Sequence, residues 1–171
     1  MIKMVVSDVD GTLTDGRMSY TPSGEVSKSF CVRDGLGVTL LKTVGVLVAL
    51  VSSDDSPIAT ARARRLGIDS CLIGVRDKVV AVEGLCRAAA IELENVAFLG
   101  DDLQDYAVMQ AVGLGVAVAD AHPMIAAIAD HVTQKPGGMG AFREFADWLI
   151  AQQDHDMEDV WLRSQREKES D

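Results

Sequence analysis

The chain has 171 residues, of which 48% are hydrophobic, 25% charged and 5% aromatic. At roughly 100–150 residues per domain this predicts one domain with a short appendage and a core that needs no staples. Its 16 basic and 26 acidic residues leave a formal charge of −10, which argues against nucleic acid and anionic membranes as partners.

Residues 3–6 read as a central strand that ends at Ser7 and Asp8. Residues 17–20 and 25–30 alternate polar and apolar around Thr21-Pro22-Ser23-Gly24, a hairpin signal. A helix is predicted over 36–44 and a buried strand over 46–51. Pro57–Leu66 follows as a helix, with Ser56 as N-cap and Pro57 in the first turn. A short strand at 71–73 precedes a helix over 77–90, whose apolar residues recur near 3.6 spacing. Strands at 96–99, 114–118 and 131–133 alternate with helices at 103–111 and 123–129, and Ala141–Gln152 closes the series.

This alternation predicts an α/β fold, a doubly wound parallel sheet with a β-hairpin insert after the first strand. Residues 1–152 form the expected domain. Residues 153–171 are a charged C-terminal tail, expected as a frayed or disordered extension despite Trp161 and Leu162. No run reaches the ~18 apolar residues of a membrane span, and the apolar stretch before Asp8 is too short for a signal-peptide core. Cys31, Cys71 and Cys86 form no paired framework. A cytoplasmic protein is therefore expected.

In such a sheet the strand C-terminal ends share one edge, where ligands bind. Four groups fall there. Asp8-Val9-Asp10-Gly11-Thr12 follows the first strand, and Ser52 follows the strand at 46–51. Lys78 opens the helix at 77–90, and Gly100-Asp101-Asp102-Leu103-Gln104-Asp105 follows the strand at 96–99. Carboxylates crowded together repel and resist ionisation. A hard cation relieves that repulsion, and oxygen ligands suit Mg2+. With a lysine and a hydroxyl added, the pocket suits phosphate. The absence of a Cys/His cluster leaves zinc chemistry unsupported.

These four motifs, in this order, resemble the haloacid dehalogenase (HAD) superfamily of phosphotransferases. Thr14-Asp15-Gly16, the segment Phe30-Cys31-Val32-Arg33-Asp34-Gly35, and the stretches AVADAHP (117–123) and GGMGAFRE (137–144) narrow the resemblance. They are similar to the small cap-less phosphatases of eight- and nine-carbon sugar acids. The resemblance implies an HAD-like Rossmannoid fold with no cap domain, Mg2+ as cofactor, and a homotetramer whose hairpins and neighbouring subunits close the site. It implies Asp8 as nucleophile and Asp10 as general acid and base. Asp8 and Asp101, with the Asp10 carbonyl, would hold the metal, and Ser52 and Lys78 the phosphoryl oxygens. Asp102 would hold a metal water or orient Lys78, with Asp105 further out.

The substrate branch turns on the residues just after Ser52. Octulosonate 8-phosphate phosphatases typically carry threonine–glycine–arginine in this segment, whereas this chain has Ser52-Ser53-Asp54. An acid at the third place resembles the phosphatases of nonulosonate 9-phosphates such as that of sialic acid, which pair it with a basic residue one helix later. Arg62 and Arg65 are the candidates for that partner, and Arg33 and Arg143 are further candidates for substrate binding. A nine-carbon preference is therefore expected ahead of the eight-carbon one. Two readings of other classes stand beside the enzyme: a signalling receiver domain, whose phosphoacceptor would follow a middle strand, and a catalytically silent regulatory or assembly domain of a sugar-nucleotide pathway.

Overall fold

The computed structural model describes residues 1–24, 26–68 and 70–169. Six parallel strands form the main sheet: β1 (Met4–Ser7), β4 (Leu47–Val51), β5 (Ser70–Leu72), β6 (Val96–Gly100), β7 (Leu114–Ala117) and β8 (His131–Val132). Their spatial order is β5-β4-β1-β6-β7-β8, so β1 lies between β4 and β6. Two short antiparallel strands, β2 (Ser19–Tyr20) and β3 (Val26–Ser27), stand apart as a separate sheet. Glu25, part of the expected second alternation, lies outside the described residues.

Strand periodicity divides the core in two. Val5, Val48, Leu50, Ala97, Leu99 and Val116 face helices α1 (Val32–Thr43), α2 (Pro57–Leu66) and α6 (Ala141–Gln152). Met4, Val6, Ala49, Val51, Val96 and Phe98 face α3 (Lys78–Ala89), α4 (Tyr106–Ala111) and α5 (Pro123–Ile128). Both faces of the sheet are covered, as near-continuous apolar strands require.

Local chemistry explains the element ends. Ser56 caps α2 by accepting the Ile58 N–H, with Pro57 in the first turn and Gly67 at φ +65° closing the helix. Asp77 caps α3 in the same way through Val80. Two elements of the expected domain differ from expectation. The sequence predicts a helix from residue 36, but α1 begins at Val32, because its glycines serve packing. A side-chain carbon on Gly37 would crowd Arg143, Ala146 and Phe142 of α6. The predicted helix over 103–111 is a 3-10 turn at Leu103–Asp105 followed by α4.

The tail is the larger correction. Met157–Glu169 forms a helix, α7, where a frayed extension is expected. Val160 and Ser164, one turn apart, are buried, and Met157 packs against the core of α1 and α6. Arg163 donates to the Thr43 carbonyl at 2.8 Å, and the Thr43 hydroxyl donates to Glu167 at 3.1 Å. Trp161 and Leu162, the apolar pair that stands out in the sequence, are exposed instead. A sparse stripe on one helical face is enough to dock a mostly charged segment. Ser170 and Asp171 lie outside the described residues.

Asp34 ties α1 to α6. It is buried, and its Oδ1 accepts the main-chain N–H of Arg143 at 3.0 Å. Burial raises its pKa from 3.8 to about 6, although the Arg143 N–H and the charges of Arg62 and Lys135 act against the rise. A carboxyl group raised in this way stabilises the fold fully below its unfolded pKa and loses that contribution as pH rises through its folded value. Asp34→Asn keeps an acceptor without the charge. Its stability relative to wild type should therefore climb between about pH 4 and pH 6.5 and then level off, by about 3 kcal/mol in all. Thermal melts of both proteins across that range measure the difference. A gap that does not change with pH would refute the assignment.

Candidate active site

The three acid-bearing segments meet because β1 pairs with β4 on one side and β6 on the other. Ser7 stands opposite both Leu50 and Leu99. The Asp8 N–H donates to the Leu99 carbonyl at 2.9 Å, which turns the residue after β1 towards the end of β6. Gly11 then takes φ +95°, and a side-chain carbon there would overlap the Asp101 carboxylate. Gly100 stands in the same relation to Asp105. Both glycines leave space that carboxylates fill.

Lys78 reaches the same point from the opposite helix layer. Side chains in a helix lean towards its N-terminus, so a lysine at the first residue of α3 extends beyond the helix end. Its Nζ donates to Asp8 Oδ1 and to Asp105 Oδ1, each at 2.6 Å. Desolvation works against the buried ammonium, but the charges of Asp8 and Asp105 more than compensate and raise its pKa. Asp105 Oδ2 accepts the Asp101 N–H at 3.0 Å and thereby closes the 3-10 turn. Asp105 thus orients Lys78, and Asp102 does not: Asp102 is spent on capping the Leu103 N–H.

Oxygens of Asp8, Asp101 and Asp105 lie within 4.8 Å of one another. Burial, followed by the charge of Asp105, pushes Asp101 to about 6. The same two causes push Asp8 well above the usual carboxylate range, against the opposing pull of Lys78. Such a cluster fits a hard divalent cation, which would favour the ionised acids. With Asp105 committed to Lys78 and the turn, Asp8 and Asp101 are the residues that would hold it directly. The Asp10 carboxylate points elsewhere. Ser52 Oγ donates to its Oδ2 at 3.2 Å, and Lys28 Nζ lies 2.6 Å from its Oδ1. Any share of Asp10 in the metal therefore falls to its main-chain carbonyl.

The cleft above these groups measures about 310 Å³. It is lined by Asp8, Asp10, Asp54, Asp101, Asp102 and Asp105, with Ser52, Lys78 and Met18 among the remainder. Of the sequence-derived substrate residues, only Asp54 lines it. Arg62 donates to the Cys31 carbonyl at 3.1 Å and lies over the Phe30 ring. Arg33 and Arg65 are exposed, and the Arg143 side chain pairs with Asp147 on its own helix at 2.7 Å. The expected pairing of Asp54 with Arg62 or Arg65 does not form: its partner is Lys28, at 2.5 Å. Lys28 is the residue that motif reading misses. Its one sequence signal is its period-two step between Val26 and Phe30, after β3.

Neighbouring loops complete the floor. The His122 N–H donates to the Asp101 carbonyl at 2.7 Å, and its ring caps α5 through Met124. Gly137 and Gly138 pack against the Gly11–Asp15 backbone so closely that neither admits a side chain. Asp15 serves its own turn by accepting the Arg17 N–H.

A family model described as haloacid dehalogenase-like hydrolase matches residues 74–140. The chain is 43% identical over 152 residues to the 3-deoxy-D-manno-octulosonate 8-phosphate phosphatase of Haemophilus influenzae, covering 89% of this chain and 84% of that one. Among solved structures, a Moraxella catarrhalis 3-deoxy-D-manno-octulosonate 8-phosphate phosphatase in complex with magnesium, phosphate and 3-deoxy-D-manno-octulosonate superposes with a TM-score of 0.85. It is 37% identical and covers 88% of this chain and 86% of its own. The cobalt-bound form of the Haemophilus influenzae phosphatase matches with a TM-score of 0.89 at 41% identity, covering 94% of this chain and 96% of its own.

The acid cluster makes activity dependent on a divalent ion. Phosphate release should stop in EDTA and return with Mg2+. Gly11→Ala, which drives a methyl group into Asp101, should lose roughly 10²-fold in kcat even at saturating Mg2+. Full turnover in chelator, or wild-type rates in Gly11→Ala, would contradict this account of the site.

Proposed function

Because this chain belongs to the haloacid dehalogenase-like hydrolases and is a Mg2+-dependent phosphoric monoester hydrolase, we propose that it hydrolyses 3-deoxy-D-manno-octulosonate 8-phosphate through a phosphorylated Asp8. The observation that carries this reading is Asp8 held beside Lys78 in a cleft that also contains Asp10, Ser52 and Asp101, within a chain 43% identical to a phosphatase of that name.

A carboxylate oxygen of Asp8 attacks phosphorus while the bond from phosphorus to the sugar oxygen breaks. Asp10 gives that oxygen a proton, and the phosphoryl group rests on Asp8. Asp10 then takes a proton from water as the water oxygen attacks phosphorus. The bond to Asp8 breaks, inorganic phosphate departs, and the carboxylate is restored. Lys78 holds the phosphoryl oxygens throughout, its ammonium offsetting repulsion between phosphate and Asp8, whereas Ser52, expected to share that role, gives its one hydroxyl proton to Asp10. Bound Mg2+ supplies further positive charge to Asp8, Asp101 and the phosphoryl group. The reading of a silent regulatory domain is set aside, since the chain is a hydrolase.

The nine-carbon preference expected from Asp54 takes second place. Asp54 does line the cleft, but its charge is met by Lys28 from the same chain, and neither Arg62 nor Arg65 approaches it. A panel comparing kcat/KM for octulosonate 8-phosphate, a nonulosonate 9-phosphate and a neutral hexose phosphate decides between the readings. The eight-carbon acid should lead by at least about tenfold. A tenfold lead for the nine-carbon acid would reverse the ranking. In the same assay, Asp10→Asn should lose roughly 10²–10⁴-fold in kcat on the preferred ester.

A homotetramer is part of this proposal. Among the described residues β2 and β3 pair only with each other as a sheet, and Tyr20 on that ribbon is exposed. An isolated two-stranded ribbon is marginal in water, which favours burial against another copy. Cytoplasmic residence accords with three free cysteines and with the lack, among the described residues, of a helix long and apolar enough to cross a membrane. Light scattering should give a mass four times the 18.3 kDa of the chain. A fully active monomer would overturn the assembly.

A further inference from the structure

Lys28 belongs to none of the recognised motifs, yet its ammonium touches the acid that transfers protons. Its side chain is only 1% exposed, with Nζ 2.6 Å from Asp10 Oδ1 and 2.5 Å from Asp54 Oδ2. Ser52 Oγ donates to the other Asp10 oxygen at 3.2 Å and accepts the Asp54 N–H at 3.1 Å. The contacts close into a ring, from Lys28 to Asp10, Ser52, Asp54 and back to Lys28. Three separate parts of the chain contribute: the segment after β1, the segment after β4, and the segment joining β3 to α1.

We propose that Lys28 is a positioning residue for proton transfer, fixing the plane of the Asp10 carboxyl group from the side opposite Ser52. The proposal rests on the reading of Asp10 as proton donor and acceptor. The terminal torsion of an aspartate is broad and roughly two-fold, so a carboxyl group held at one oxygen only samples a wide arc. Proton transfer needs the donor within hydrogen-bond reach of the leaving oxygen, and small misplacements are costly. A clamp of an ion pair at Oδ1 and a hydrogen bond at Oδ2 narrows that freedom. Asp54 makes the clamp durable, because a covered ammonium is stable only when fully paired. The segment bearing β2 and β3 therefore supplies part of the proton-transfer apparatus as well as a wall of the cleft.

The competing account is a staple, in which Lys28 only holds this segment against the domain. Leaving-group chemistry separates the two. A sugar alkoxide needs a proton as it departs, whereas p-nitrophenolate leaves as the anion. In the first half-reaction, read by rapid mixing as the rate of leaving-group release, Lys28→Met should lose roughly 10²-fold on octulosonate 8-phosphate, while the p-nitrophenolate burst from p-nitrophenyl phosphate stays within about threefold of wild type. The later hydrolysis of phospho-Asp8, which draws on Asp10 as base, should slow equally for both. Lys28→Arg, which keeps the charge and shifts its contact points, should show a smaller version of the same contrast. It carries the test if the methionine variant does not fold, as judged by melting temperature. Equal losses on both esters in that leaving-group step, or no loss on either, would overturn the proposal.

Asp10→Asn is assayed in parallel. If it shows no leaving-group contrast, the reading of Asp10 fails and the role of Lys28 fails with it. If Asp10→Asn shows the contrast and the Lys28 variants do not, Lys28 alone is refuted. Should wild type ignore octulosonate 8-phosphate, the same contrast is read on the alkyl phosphate it does hydrolyse. The substrate proposal then falls separately.

Discussion

Like charges crowd at the carboxyl edge of the sheet, where Asp8, Asp101 and Asp105 bring oxygens within 4.8 Å of one another in a largely buried setting. Desolvation and mutual repulsion both oppose ionisation there, so positive charge has to be brought to this spot. The chain brings one ammonium, Lys78, shared between Asp8 and Asp105. The remaining demand suits a divalent ion. Much of the surrounding architecture follows from that requirement. Helix α3 must start where its first residue can reach the acids, and Asp77 caps it there. Gly11 and Gly100 must lack side chains, because carboxylates occupy the space that a β-carbon would need.

A second balance lies beside the first. Asp10 and Asp54 would repel each other across the cleft mouth, and Lys28 separates them. The two balances divide the labour of the site. Lys78 meets Asp8 and Asp105, whereas Lys28 and Ser52 meet the two oxygens of Asp10. Each ammonium is buried and each contacts two carboxylates, the arrangement in which a desolvated charge is tolerated. The cleft stays acidic overall, so added positive charge would favour an anionic ester there.

The scaffold holds these groups through its backbone as much as through side chains. The main-chain N–H of Asp8 is fixed by β6, the Asp101 carbonyl by His122, and the loop after β1 by Gly138, which donates to the Thr12 carbonyl at 3.0 Å. On the far side of the domain, α7 packs over α1 through Val160 and Ser164, and Arg163 satisfies the terminal Thr43 carbonyl of α1. Carbonyls at a helix end have no partner within the helix. A charged segment placed there gains a function that its composition alone does not suggest.

Much of this was legible in the sequence because it depends on local pattern. Apolar runs and caps marked the strands and helices, and the fold class followed from their alternation. Asp8, Ser52, Lys78 and Asp101 were legible because each sits at the end of an element, and parallel topology gathers such ends on one edge. What sequence could not decide was which charge meets which. Asp54 has an arginine one helix later in the sequence, yet it pairs with Lys28, 26 residues earlier, because the chain folds back after β3 and covers that lysine. Arg62 is drawn instead to Phe30 and the Cys31 carbonyl. The tail was misleading for a similar reason: Trp161 and Leu162 dominate its apolar content, but helical geometry turns Val160 and Ser164 inward. Local pattern determines where an element begins and which face is apolar. Ion pairing is long-range and is settled only when tertiary packing chooses which charges lose their water.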